Sequence, residues 1–169
     1  MHPLLTHAFR YGNGKVTDLF KDNFSVATGI NCLGEIVGYY SRATSEVYGD
    51  ENPAYPYYAF VHGGRGSRFD TLGTLPGGTS PYATGLNDSG EVVGYADVRG
   101  QARAFLYDHG RMMDLGMLPG DTDSEAFAIN LQGDLIGNCS SGNPDAGTAF
   151  FYHRGNMQDL NALIPSDSG

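Results

Sequence analysis

ATGLNDSGEVVGYAD, residues 83–97, decides the fold, because the chain writes this stretch three times. The sister copies are ATGINCLGEIVGYY at 27–40 and AFAINLQGDLIGNCS at 126–140. Asn31, Asn87 and Asn130 align across them, as do Gly34, Gly90 and Gly133, and then Gly38, Gly94 and Gly137. Taken alone, residues 83–97 offer chemistry: a glycine-flanked loop with acids at Asp88 and Glu91. The copies act as an internal control. The position of Asp88 is Cys32 in one copy and Leu131 in another, while the asparagine and glycine persist. An asparagine that bonds backbone N–H groups and a glycine in the left-handed region after a type I turn make a hairpin with a bulge. Gly85-x-x-x-x-Gly90 is followed by Glu91-Val92 rather than Lys-Ser/Thr, so it is not a phosphate loop. The ladder of acids that an EF-hand needs is absent.

A second unit alternates with the first. Its four copies open on Ala-Phe at residues 8–9, 59–60, 104–105 and 149–150, with spacings of 51, 45 and 45 residues. Each pair leads through a glycine-containing turn to a short segment ending in Asp-Leu or Asp-Thr-Leu, as in AFLYDHGRMMDL at 104–115. A full repeat therefore carries four strand candidates: A (ATGIN), B (EVVGY), C (AFLY) and D (MMDL). Each is rich in Val, Ile, Phe, Tyr or Met, is bounded by Gly, Asn, Asp or Pro, and is too short for a helix that buries a face. Four short strands at about 45-residue spacing are the signature of β-propeller blades. A lone sheet of this kind cannot bury both faces, so neighbours must stack. The expected fold is all-β: a propeller-type array of four-stranded antiparallel blades, about three and a half in one repeat domain over 1–169. It divides into a half-blade at 7–19, a blade at 26–72 with an insertion at 41–56, and blades at 82–115 and 126–160.

These motifs resemble a known family. His7-Ala8-Phe9, the Gly-x-Met-x-Asp-Leu run ending at Asp114-Leu115, the Leu-Gly-x-Leu-Pro-Gly loop and the Ile/Leu-Asn-x-x-Gly-x-Val-Val-Gly hairpin look like the bacterial extracellular HAF repeat. The resemblance spans nearly the whole chain. It implies a secreted or surface-exposed tandem-repeat β protein with no single established activity. The histidine survives only at His7, with Tyr58, Arg103 and Thr148 in its place elsewhere, and the insertion at 41–56 is extra. The histidine is therefore not expected to be a repeated functional residue.

Charge and composition bound the partners. Ten basic side chains face 19 acidic ones, for a net charge of −9 and no basic run, which opposes binding to nucleic acid. No apolar run approaches the ~20 residues that span a bilayer. MHPLLTHAFRYGNG lacks the basic and apolar regions of a signal peptide, so either the protein stays where it is made or the chain is a mature or excised piece. Cys32 and Cys139 have no metal-type spacing and read as buried free thiols, with a disulfide as the alternative.

Antiparallel order puts the A–B and C–D turns on one face and the B–C and D–A connections on the other. The first set is tight and glycine-rich. The second is longer and varies between copies, and binding residues concentrate on variable loops held by a rigid scaffold. Two of its segments carry recognisable chemistry. The insertion and the residue that follows it offer Tyr48, Asp50, Glu51, Tyr55 and Tyr57, aromatic platforms beside acceptor carboxylates, which suit a carbohydrate or a peptide. Asp121, Asp123 and Glu125 present alternating hard oxygen donors to Ca²⁺. The expected function is an extracellular-type binding module for a carbohydrate or another macromolecule. The alternatives are a polysaccharide hydrolase or lyase using Asp50, Glu51, Asp121 and Asp123, and a purely structural surface module. A half-blade leaves a ring unfinished, so the chain is expected to be a homo-oligomer or to lack the remaining blades of a longer chain, with a compact β-prism or sandwich closure as the other solution.

Overall fold

A computed structural model describes residues 6–21, 23–42, 56–63, 68–142 and 147–164. Among them the chain forms 14 strands in chain order. β1 (Phe9–Gly12) and β2 (Lys15–Asp18) make a two-stranded sheet. The first blade is β3 (Ser25–Ile30), β4 (Ile36–Ser41), β5 (Tyr57–Gly63) and β6 (Arg68–Thr71). The second is β7 (Gly78–Leu86), β8 (Val92–Val98), β9 (Gln101–Asp108) and β10 (Arg111–Asp114). The third is β11 (Asp123–Ile129), β12 (Leu135–Ser140), β13 (Thr148–His153) and β14 (Asn156–Asp159), followed by a 3-10 turn at Asn161–Leu163. Every pairing is antiparallel and joins strands adjacent in sequence.

The repeated glycine and phenylalanine explain one another. Gly38 pairs with Phe60, Gly94 with Phe105 and Gly137 with Phe150, always second strand against third. All three phenylalanines are completely buried. A Cβ on Gly94 would lie 2.9 Å from Phe105 Cζ and 1.9 Å from the Tyr82 carbonyl oxygen, and Gly38 and Gly137 are enclosed in the same way. Glycine inside a strand costs roughly 0.5–1 kcal/mol. Burying a phenylalanine contributes about 2–3 kcal/mol, so the exchange favours the fold.

The first strand of each blade carries a bulge, at Thr28, Thr84 and Phe127. In two blades the bulged threonine hydroxyl bridges to the next blade: Thr28 reaches the Ala83 carbonyl at 2.7 Å, and Thr84 the Ala126 carbonyl at 2.7 Å. The A–B turns repeat the link. Asn31 Nδ2 donates to the Asn87 carbonyl at 3.1 Å, and Asn87 Nδ2 to the Asn130 carbonyl at 2.9 Å. Within its own turn Asn87 Oδ1 accepts from the backbone of Ser89 and Glu91, while Gly90 sits at φ +85°. The turn asparagine therefore fastens its own hairpin and the next blade together. Asp88, a replaceable turn residue by its sister copies, accepts the Cys32 N–H at 2.8 Å and joins the same seam.

Apolar seams fill the space between sheets. Val37, Ala59 and Leu72 of the first blade meet Ala83 and Val92 of the second; Val93, Ala104 and Leu118 meet Ala126, Leu135 and Phe150 of the third. The half-blade follows the same rule, with Ala8 and Phe20 packed on Ile36, Tyr40 and Phe60. Phe20, Leu75 and Leu118 come from the D–A connections, so the Leu-Gly-x-Leu-Pro-Gly loops are pinned by buried side chains. One connection expected to be long is tight: Val98 pairs with Gln101 across Arg99 (φ 59°) and Gly100 (φ 83°), a left-handed two-residue turn. The thiols are both free, with Cys32 exposed and Cys139 buried.

Two substitutions test this scheme by chemical denaturation. Gly94→Ala should lose about 3 kcal/mol or more, because a methyl group must displace backbone rather than a flexible side chain. Asn87→Ala should cost about 1 kcal/mol more than Asn130→Ala, since Asn130 keeps its own turn bonds but makes no bond to a following blade among the described residues. Equal losses would contradict the inter-blade role.

Candidate functional site

The tight face is built for structure. Asp134, after an A–B turn, meets His153, beside a C–D turn, which places both turn sets on one face. The His153 bond, followed by the Asn130 amide, holds the Asp134 carboxyl below the usual range. Asn31 binds Glu35 at 2.7 Å, and Asn87 binds Glu91 at 2.5 Å. At the other end of the strands, beside the D–A connections, the repeated aspartates that close the fourth strands accept backbone N–H groups two residues on: Asp18 from Phe20, Asp114 from Gly116 and Asp159 from Asn161. His7 leans on Asp18 at 2.7 Å, and Arg103, at the same repeat position, bonds Asp114 at 3.0 Å. His7 thus belongs to a cross-strand pair that another residue type also makes.

The opposite side carries an aromatic ladder. Phe24, in a D–A connection, lies 6.1 Å from Tyr57, which opens β5 directly after the B–C connection. Tyr57 lies 5.5 Å from Tyr39 and 5.0 Å from Tyr82, and Tyr82 stacks on Tyr95 at 4.9 Å. The rings cross the seam between the first two blades and are half-buried. Paired register builds the ladder: Tyr82 faces Tyr95 across β7–β8, and Tyr39 takes the position of Tyr95 in the first blade. The third blade has Glu125 and Asn138 at those two positions. Burial, followed by the Glu125 and Tyr39 charges, pushes Tyr95 up to about 12. Burial, with Asp123 second, raises the Glu125 carboxyl. Glu125 lines a cleft with Asp123, Ser124, Asn138, Cys139 and Ser140. A row of aromatic faces therefore runs into a cleft holding a carboxyl that resists ionisation.

Of the residues singled out from sequence, Tyr48, Asp50, Glu51 and Tyr55 lie outside the described residues. Tyr57 stands in the ladder, and Glu125 stands at its far end. Asp123 is spent on structure, accepting the Ala102 N–H at 2.8 Å and the Thr122 hydroxyl at 2.6 Å. Among the described residues no three His, Cys, Asp or Glu side chains converge as a metal site requires, so Asp121, Asp123 and Glu125 are not brought together as a cation cage. Phe24, Tyr39, Tyr82 and Tyr95 were not singled out from sequence. The repeat alignment places Tyr39 level with Tyr95, but the contacts that join them cross between blades.

No protein-family model matches the chain, and no curated protein matches it in sequence. Among solved structures it is similar to the β-propeller domain of the trilobed protease from Pyrococcus furiosus, described as having an open velcro topology. The TM-score is 0.50 at 11% identity, over 95% of this chain and 46% of the other, so the chain spans less than half of that domain. Strand order, stacked meanders and this likeness define a β-propeller-like all-β array. No helix among the described residues is long and apolar enough to cross a membrane.

Glu125 makes a checkable pH signature. Its folded-state pKa lies above the unfolded value, so the folded protein carries a penalty once the unfolded carboxyl ionises. Glu125→Gln should therefore melt higher than the parent at pH 7, and the difference should close below the ordinary carboxylate value of 4.5. A difference independent of pH would contradict the assignment.

Proposed function

We propose that this chain is a binding module that holds a carbohydrate against the tyrosine ladder on the side of the B–C and D–A connections. The observation that carries the reading is the half-buried row Tyr39, Tyr57, Tyr82 and Tyr95 running towards Glu125. Aromatic faces stack on the C–H faces of sugar rings, and a few placed polar groups fix orientation. Glu125, Ser124 and Asn138 are the polar groups nearest the end of the row. The resemblance to the extracellular HAF repeat supports a location outside the cell or on its surface. It also makes a macromolecular glycan a ligand the protein would meet there.

A polysaccharide hydrolase is the second reading, and Glu125 is the observation that favours it. A carboxyl raised by burial stays protonated to higher pH, as a general acid must. A panel of soluble oligosaccharides titrated calorimetrically separates the two. The module predicts saturable binding without products, and Tyr82→Ala should weaken it at least about tenfold. Circular dichroism would verify that the variant remains folded. The hydrolase predicts reducing ends that disappear in Glu125→Gln. No binding by any saccharide would contradict the carbohydrate reading.

A further inference from the structure

Phe9 is the exception to the rule that buries the phenylalanine of each third strand. Phe60, Phe105 and Phe150 are completely buried, but Phe9, at the same repeat position, is 62% exposed. The cause lies in the pairing. β5, β9 and β13 each have a second strand on one edge and a fourth strand on the other, whereas among the described residues β1 pairs only with β2. The free edge of β1 borders a cleft lined by Phe9, Arg10, Tyr11, Thr28, Ile30 and Ile36. In the other blades this space holds the first two strands. The cleft lies between the half-blade and the first blade, in line with the seams between the first and second blades and between the second and third.

We propose that the β1 edge is the acceptor site for a β-hairpin of the repeat's own A–B type, with glycine opposite Phe9, supplied from outside these 169 residues. Three features define the occupant. Register gives the first: the residue facing the phenylalanine is glycine in every filled blade, because a first-strand carbonyl oxygen and the ring together occupy the space of its Cβ. The second is a bulged threonine on the inner strand, which would donate to the Ala27 carbonyl as Thr84 donates to that of Ala126. The third is a turn asparagine, which would donate to the Asn31 carbonyl as Asn87 does to that of Asn130. Strand addition of this kind draws affinity from main-chain bonds and specificity from the side-chain pockets. A second copy does not supply the hairpin. The Asn-x-x-Gly hairpin occurs three times in the sequence against four Ala-Phe units, so every copy has the same shortfall.

The chain contains no tryptophan, so Phe9→Trp places a single reporter in the site. The probe is this chain's own hairpin, residues 81–98, joined by a flexible linker ahead of Met1 so that association is intramolecular. The fusion should shift the reporter emission to shorter wavelength and raise the melting temperature, in the reporter protein and in its Phe9 parent. A fusion carrying Gly94→Val in the added copy should do neither. Identical emission and melting for the two fusions would overturn the proposal. So would a concentration-dependent dimer of the unfused protein that shifts the same emission, since a second copy would then be the occupant.

Discussion

The contact between a second-strand glycine and the phenylalanine opposite it is the constraint on which the rest of the structure depends. Removing the side chain at Gly38, Gly94 and Gly137 lets Phe60, Phe105 and Phe150 lie across the neighbouring strand. Phe20 then packs on Phe60 with ring centroids 4.9 Å apart, and Leu75 packs on Phe105. The D–A connections are held by these contacts, and the connections in turn set where each following blade begins. A side chain at the glycine would disturb the ring, the connection and the seam together.

Hydrogen bonds add direction to this packing. The bulged threonine and the turn asparagine of one blade always donate to the carbonyls of the next. The relay stops at the third blade, where the bulge position is Phe127 and the seam position of Val37 and Val93 is Ile136, 48% exposed. Among the described residues the array therefore has two unlike ends: a half-blade with an unpaired strand edge, and a full blade whose outer face keeps apolar residues at seam positions. The tyrosine ladder depends on the same stacking, because Tyr39 and Tyr82 belong to different blades and meet at 4.8 Å.

Much of the fold was legible because the chain carries its own control. Three copies of one hairpin separate what recurs, such as Asn87 and Gly90, from what varies, such as Asp88. The strand content and the propeller-type array follow from short apolar runs between turn residues. The inter-blade role of Asn87 was not legible: the turn explains its Oδ1, but only the next blade supplies the acceptor for its Nδ2. Asp88 shows the same limit, since its partner Cys32 lies 56 residues away. The candidate site was read in part. Tyr57 and Glu125 were marked for their chemistry, while Tyr39, Tyr82 and Tyr95 looked like ordinary strand residues, because alternation along a strand does not say which rings meet across a seam. The Arg99-Gly100 turn was taken for a longer connection, although a glycine after a residue that tolerates positive φ is enough for a two-residue turn.

Aromatic-to-aliphatic nuclear Overhauser spectroscopy tests the central contact most directly. Strong cross-peaks are expected from the rings of Phe60, Phe105 and Phe150 to the α-protons of Gly38, Gly94 and Gly137 respectively, and none from Phe9 to any second-strand glycine. Missing cross-peaks for the three buried rings, or one from Phe9 to a glycine of this chain, would contradict this arrangement.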